Sequence, residues 1–224
     1  DEALAPGIYL AVMAPNNDYF QFLVTDEEQQ FAIKNSVAEQ VKGAQIQGSS
    51  ENELFFNYLG FLQQAGERNQ EMRSALEQED ISLSDKTRIE RELAALDGEV
   101  KAHQESIRQT HTSSFVAAII KANENVTPPA HEEITDIEAR RAVQLKYLQE
   151  HYLDNLDLKD NRLLRTPFLF QRINFFVERL HVQVPDSINV AIDRVLSKMD
   201  PASDAFKFYL IHYLNKAANS EFVG

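Results

Sequence analysis

Six histidines are the side chains of this sequence best suited to metal binding or acid–base catalysis. They are His103, His111, His131, His151, His181 and His212. A zinc site of the metalloprotease type needs two histidines on one helical face with a carboxylate beside them. No pair here has that spacing, and the HEE at 131–133 contains a single histidine. The spacing therefore favours ordinary surface or half-buried histidines, and we predict no metal site.

Three aspartates, Asp154, Asp157 and Asp160, lie in the segment DNLDLKDNR and give it a superficial likeness to a calcium loop. A helix-loop-helix calcium site also needs a glycine at its sharp turn and a glutamate at its end. This segment has neither, so we predict that it forms turns and a helix cap. The chain also has no glycine-rich phosphate loop and no GxSxG motif.

Composition removes further classes of chemistry. The chain of 224 residues has no cysteine, which excludes thiol nucleophiles, thiolate metal sites and dithiol redox chemistry within it. Its net charge of −13 would repel a polyanion, which argues against nucleic acid as a partner. No segment approaches the roughly 20 apolar residues of a membrane span. We therefore predict no catalytic residue, no cofactor-binding residue, no cofactor and no transmembrane segment.

Aromatic residues of the C-terminal half offer a candidate for a ligand pocket. They are Phe175, Phe176, Phe206, Phe208, Tyr209 and Tyr213. These residues fall largely on apolar stripes that point inward in the predicted helices, so packing in a helical core is favoured over the lining of a pocket. Both interpretations remain open at this point.

Short segments rich in aromatic and branched residues occupy the first 48 residues. They are GIYLAVMA, YFQFLV, FAI and AQIQ, and turn sequences such as APNND and TDEE separate them. This alternation predicts a small antiparallel sheet of three or four strands.

From Ser50 the apolar period changes to about 3.6, which predicts helices. Ser49 or Ser50 is expected to cap the first helix and Ser84 the second, and together they form a hairpin over 51–109. Further helices are predicted at 113–122, 134–152, 166–181, 186–199 and 202–219.

The predicted fold class is α+β, mostly α: a small antiparallel N-terminal sheet, then a long helical hairpin, then a C-terminal helical bundle. We predict a partial β-sheet domain at 1–48, the hairpin with a short helix at 49–126, and a helical bundle domain at 127–224. The content of 43% apolar and 25% charged residues is typical of a folded globular protein and not of a disordered one.

Two regions resemble a known family. Residues 6–28 and 48–63 resemble the last strands and first helix of an N-terminal region in bacterial cell-envelope thioredoxin-like proteins. Residues 151–220, with their RLLRTPF and PDSI stretches, resemble the helical domain of unknown function that precedes the thioredoxin fold in TlpA-like thiol:disulfide interchange proteins.

The resemblance implies a secreted or lipid-anchored protein of the cell envelope, or periplasm, whose redox chemistry belongs to a C-terminal thioredoxin domain with a CxxC motif. This chain has no such motif, so no catalytic residue of the family can be carried onto it. Because it begins with Asp1 and no signal segment precedes that residue, we expect an excised or mature part of a longer protein.

The function expected from the resemblance is that of a non-catalytic accessory region. It would position the redox domain of a thiol:disulfide oxidoreductase or recognise its client, with the hairpin at 51–109 as a candidate contact surface. The alternative is a ligand- or peptide-binding module with a pocket between the sheet and the helices. If further strands normally precede Gly7, their absence leaves an open edge, and we expect self-association or strand addition through residues 7–13.

Overall fold

The computed structural model describes residues 2–35, 41, 43–78 and 80–219. In these residues, helices predominate over a few short strands, which confirms the α+β, mostly α fold class. The strands are β1 (Gly7–Met13), β2 (Asp18–Val24), β3 (Ala32–Lys34) and β4 (Gln45–Gln47). The α-helices are α1 (Ser50–Leu76), α2 (Leu83–Thr110), α3 (Phe115–Asn123), α4 (Ile137–His151), α5 (Leu169–Arg179), α6 (Pro185–Ser197) and α7 (Asp204–Ala218). A 3-10 helix, Asn161–Arg165, precedes α5.

The chain divides into two compact units. The first comprises Asp1–Leu4 and Tyr9–Ala117, and the second comprises Ala5–Ile8 and Ala118–Gly224. A compact unit need not be a domain, so the ranges 1–48, 49–126 and 127–224 remain predictions. Each unit is described by itself below.

In the described residues the four strands form two separate sheets of two antiparallel strands, β1 with β2 and β3 with β4. In the second sheet, Ile33 lies opposite Ile46. An asparagine side chain bonds the backbone of β2 in the first sheet. The Leu23 amide donates to Asn52 Oδ1 at 2.8 Å, and Asn52 Nδ2 donates to the Leu23 carbonyl at 2.8 Å. Both backbone groups are thereby satisfied.

The start of α1 is held by a carboxylate from the loop after β2. Ser49, one of the two serines predicted as the cap, caps the helix, since its Oγ accepts from the Asn52 amide at 2.9 Å. The Glu28 carboxylate accepts from the Ser50 amide at 2.9 Å and from the Glu51 amide at 3.2 Å, and both serine hydroxyls donate to it. A negative charge at this position complements the positive end of the helix dipole.

The Glu51 carboxylate makes the same kind of contact, at the start of another helix. Its carboxylate accepts from the Phe115 amide at 2.8 Å and lies 3.4 Å from the Val116 amide, at the start of α3. The first turn of α1 therefore receives a carboxylate from the loop after β2 and supplies one to a later helix. These contacts close loops of 23 and 64 residues.

We expect Glu28 to make stability depend on pH. Desolvation raises the pKa of its carboxyl group, but hydrogen bonds from Ser49, Ser50 and the Glu51 amide outweigh it and hold the pKa below the ordinary 4.5. A depressed folded-state pKa stabilises the fold above the unfolded pKa, and this contribution is lost as pH falls through the folded value. Glu28→Gln should therefore be less stable than the wild type at pH 7, with a difference that shrinks below about pH 4.5.

Urea unfolding of both proteins between about pH 3 and pH 7 measures this difference. Glu27→Gln is the matched control, because Glu27 is exposed and adjacent in sequence. The interpretation is wrong if Glu28→Gln and Glu27→Gln lose stability to the same extent, or if the Glu28→Gln deficit does not depend on pH.

Helices α1 and α2 form the predicted hairpin, and they run antiparallel. Gln104 donates to the Tyr58 hydroxyl at 2.9 Å, and Arg68 pairs with Glu99 at 2.7 Å. The later residue of α1 thus contacts the earlier residue of α2. The cap of α2 is Ser82 and not the predicted Ser84. Ser82 accepts from the Asp85 amide at 3.1 Å, and so the helix starts at Leu83.

The second unit is built around buried side chains of α5, α6 and α7. The stripe predicted on α5 is fully buried and comprises Leu169, Ile173, Phe176 and Leu180. Pro185 stands in the first turn of α6, as predicted. Gly7 belongs to this unit, and a Cβ there would lie 2.4 Å from Arg165 Cβ. Only glycine allows the backbone to approach this closely.

Candidate functional site

The structure distributes the six histidines over separate environments. His103 stacks on Phe61 with 4.0 Å between ring centroids, and His111 is the exposed C-cap residue of α2. His131 and His151 each bond a neighbouring carboxylate, Glu133 and Asp154, at 2.8 Å. His181 donates from Nδ1 to the Phe176 carbonyl at 2.9 Å. The described residues contain no group of three or more His, Asp or Glu side chains that could hold a metal ion.

The three aspartates of the DNLDLKDNR segment form turns and a cap, which confirms that prediction. Asp154 bonds His151, and Asp157 accepts from the Lys159 amide at 3.1 Å. Asp160 caps the 3-10 helix and pairs with Arg162 at 2.8 Å. Each carboxylate therefore has a local partner.

The aromatic residues of α5 and α7 separate into buried and exposed members. Phe176, Tyr209 and Tyr213 are buried, whereas Phe175 and Phe208 reach solvent. Burial raises the pKa of the Tyr209 and Tyr213 hydroxyls, and for Tyr213 the neighbouring Tyr209 and Glu178 add to this effect. Burial therefore favours the protonated phenol at both positions.

The α7 face is the name we give to Phe208, Ile211 and Leu214, which lie three residues apart along the helix. Their exposed fractions are 46%, 58% and 59%, so three large apolar side chains share one solvent-facing stripe. Phe170 of α5 extends it, since its ring centroid lies 6.1 Å from that of Phe208. Contiguous apolar surface of this kind is typical of an interaction site.

His212 lies beside the α7 face, in contact with Phe170 and Tyr213. The ring of His212 is 5.0 Å from that of Phe170 and 4.9 Å from that of Tyr213, measured between centroids. Its Nε2 atom is buried and has no hydrogen-bond partner. The histidine therefore acts here as part of an aromatic cluster.

The charges on α7 are few in comparison with the rest of the chain. The helix carries one acid, Asp204, and two bases, Lys207 and Lys216, although the whole chain has a net charge of −13. Asp204 lies 3.6 Å from Arg165, and Lys216 pairs with Glu178. The residues of α7 therefore sum to a charge of +1, whereas the whole chain sums to −13.

A cleft of about 320 Å³ opens between α5, α6 and α7 of the second unit. Its apolar lining comprises Val177, Pro185, Ile188, Ile192, Tyr213 and Ala217. Four polar side chains also line it, namely Glu178, Gln183, Asn189 and Lys216. This size and composition lie at the small end of the range for ligand pockets.

A second depression, of about 480 Å³, lies between β4 and α1, where the sequence suggested a pocket between sheet and helices. Its described lining combines Ile46 and Phe56 with Glu53, Asn57 and Gln64. It is a shallow and partly polar surface, whereas the cleft of the second unit is more enclosed.

The apolar stripe on α7 was not predicted as exposed. The sequence pattern placed Phe206, Leu210, Tyr213 and Ala217 inward, but the structure buries Ala205, Tyr209 and Tyr213. Apolar residues occur on every side of this helix, and that excess is the signal that could have indicated two apolar faces. As regards membranes, no helix in the described residues is long and apolar enough to span a bilayer.

Comparison with known families gives a match for the C-terminal part of the chain. A family model described as a domain of unknown function, DUF5106, matches residues 101–218. No curated protein and no solved structure matches significantly. The match runs from within α2 to the last residue of α7 and covers more than half of the chain, so the resemblance to a helical domain of unknown function is confirmed. This chain belongs to the DUF5106 family.

Proposed function

We propose that this chain is a non-catalytic interaction module of a cell-envelope thiol:disulfide oxidoreductase. It would position the thioredoxin-like redox domain or recognise its client. The observation that carries the proposal is the α7 face, where Phe208, Ile211 and Leu214 expose a continuous apolar stripe. The redox identity of the partner rests on the resemblance of the RLLRTPF and PDSI stretches.

Burial of the α7 face by a partner would be energetically favourable. Apolar surface gains about 25 cal/mol for each Å² removed from water. A folded domain with a complementary apolar patch could cover the stripe and leave Lys207 at its polar rim. The hairpin is the weaker candidate, because Leu83 is the one large apolar residue of α1 or α2 that is strongly exposed in the described residues.

Thiol chemistry would reside in the partner. Attack on a client disulfide requires a thiolate, and this chain has no cysteine to supply one. The module would therefore act by holding the redox domain and its client close together. This raises the effective concentration of each around the other.

Site-specific photo-crosslinking tests this proposal. The protein is produced in its native organism with a photoreactive phenylalanine analogue in place of Ile211. We expect this analogue to cross-link to a segment that carries a CxxC motif. The crosslinked peptides are identified by mass spectrometry. The matched control places the same analogue at Leu83, which is also strongly exposed but lies on α2. The proposal is wrong if Ile211 yields no cross-link to a CxxC-bearing segment, or if Leu83 yields the same one.

A second candidate function is favoured by the apolar cleft between α5, α6 and α7. We propose, as this alternative, that the chain is a module that binds a small apolar ligand or an apolar peptide side chain. The two candidate functions are distinguished by where the partner or ligand binds. Cross-links from Ile211 report a macromolecular partner on the α7 face, whereas a ligand in the cleft would be displaced by a larger side chain at Ile192.

A further inference from the structure

The cleft between α5, α6 and α7 has an aliphatic interior. On α6, Pro185, Ile188 and Ile192 are three and four residues apart, so they share one side of the helix and line the cleft. Val177 of α5 and Tyr213 of α7 also line it and are almost wholly buried, so they form its inner wall. The volume of about 320 Å³ is that of about ten water molecules in the liquid, so a ligand of about ten non-hydrogen atoms fits.

Two side chains of opposite charge line the same cleft and touch each other. Nζ of Lys216 on α7 donates to the Glu178 carboxylate on α5. This contact uses one of the three N–H groups of the lysine and one of the two oxygens of the carboxylate. Neither group has a second hydrogen-bond partner within the described residues. The two side chains are 50% and 35% exposed, so their remaining donors and acceptors are accessible to a ligand.

Two neutral amide side chains add further polar groups to the lining. Gln183, between α5 and α6, donates from Nε2 to the Val177 carbonyl at 3.1 Å and to the His181 carbonyl at 2.9 Å. Because a carbonyl can only accept, these bonds fix the orientation of the amide and leave Oε1 as an acceptor. Asn189 of α6 also lines the cleft, and its side chain makes no hydrogen bond within the part of the chain that the structure describes.

We propose that this cleft binds a free α-amino acid with an aliphatic side chain, such as leucine. This inference rests on the second candidate function and narrows its ligand to one class. The Glu178 carboxylate and Gln183 Oε1 accept from the ammonium group of the ligand, and Lys216 and the Asn189 amide donate to its carboxylate. The aliphatic side chain of the ligand fills the apolar interior, where it is removed from water.

Charge distinguishes this ligand from others of the same size. A carboxylate without an ammonium group is attracted by Lys216 but repelled by Glu178 and by the net charge of −13. An amine without a carboxylate is attracted by Glu178 but repelled by Lys216. An uncharged ligand gives the ion pair no new partner. A free amino acid carries both charges next to each other, as the cleft does.

Titration with four small molecules, followed by NMR of the backbone amides, tests the ligand class. Leucine is compared with isocaproate, which lacks the ammonium group, with isoamylamine, which lacks the carboxylate, and with isoamyl alcohol, which lacks both charges. We expect leucine to bind with a dissociation constant below about 1 mM, and each of the other three at least about tenfold more weakly. If leucine binds no more tightly than the alcohol, this inference is overturned but an apolar ligand site stands. If none of the four binds, the second candidate function fails as well.

Two variants test whether the ion pair holds the ligand. Glu178→Gln should weaken leucine binding about tenfold without weakening that of isocaproate, and Lys216→Met should do the same without weakening that of isoamylamine. Both side chains are partly exposed, so the fold tolerates their replacement. Lys207→Met is the matched control, since Lys207 is exposed on α7 and does not line the cleft, and it should leave leucine binding unchanged. Leucine binding that neither cleft variant weakens, or an equal loss for all four molecules, would contradict the proposal.

Discussion

Replacement of Asn52 by alanine is expected to lower the free energy of unfolding by about 3 kcal/mol. The Asn52 side chain has no exposed surface, and it bonds both the amide and the carbonyl of Leu23. Leu23 is itself buried, so alanine would leave two backbone groups without partners and without access to water. Each such group costs about 1–3 kcal/mol.

Urea unfolding followed by circular dichroism measures the effect of Asn52→Ala. Asn57→Ala is the matched control, because Asn57 lies on the same helix and is exposed. Its stability should change by less than about 0.5 kcal/mol, since alanine is the better helix former. A loss below about 1 kcal/mol for Asn52→Ala would mean that water or backbone movement satisfies Leu23 in its place.

The second large effect is expected in the other unit. Phe176→Ala should lower the free energy of unfolding by about 4 kcal/mol, because the ring has no exposed surface and its loss leaves a cavity. The ring also packs edge-on against His181, with 4.7 Å between centroids, and near Tyr152. The alanine variant loses both aromatic contacts.

The adjacent residue provides the control for Phe176→Ala. Phe175 has the same side chain on the same helix but is exposed, and it packs on Tyr152 at 5.5 Å between centroids. Phe175→Ala should cost about 1 kcal/mol or less. Similar losses for the two variants would show that the Phe176 site collapses without a cavity or that Phe175 is buried in solution.

Much of the helical structure could be predicted from the sequence because periodicity and capping act locally. The stripe of α5 was predicted at the correct residues, and the cap of α1 was narrowed to Ser49 or Ser50, of which the structure uses Ser49. The start of α2 was predicted at the wrong serine. Two serines, Ser82 and Ser84, precede Asp85, and the sequence pattern indicated Ser84. The structure selects Ser82, whose hydroxyl reaches the Asp85 amide.

The contacts that were missed are those between distant residues. Asn52 is polar, so an apolar pattern could not identify it as buried, and its bond to Leu23 spans 29 residues. The same limit applies to the candidate site. The apolar character of α7 was visible, but which of its sides is covered depends on how α5 and α6 pack, and this decided that Ile211 and Leu214 are exposed.

The two carboxylates at helix starts close loops of different kinds. The Glu28–Glu51 contact closes a loop of 23 residues, whereas the Glu51–Phe115 contact closes one of 64 residues. The shorter loop is closed at the ordinary cost of a flexible chain, whereas the longer one contains the antiparallel hairpin of α1 and α2. The contact of Glu51 with the start of α3 therefore depends on that hairpin, which returns the chain to the start of α1.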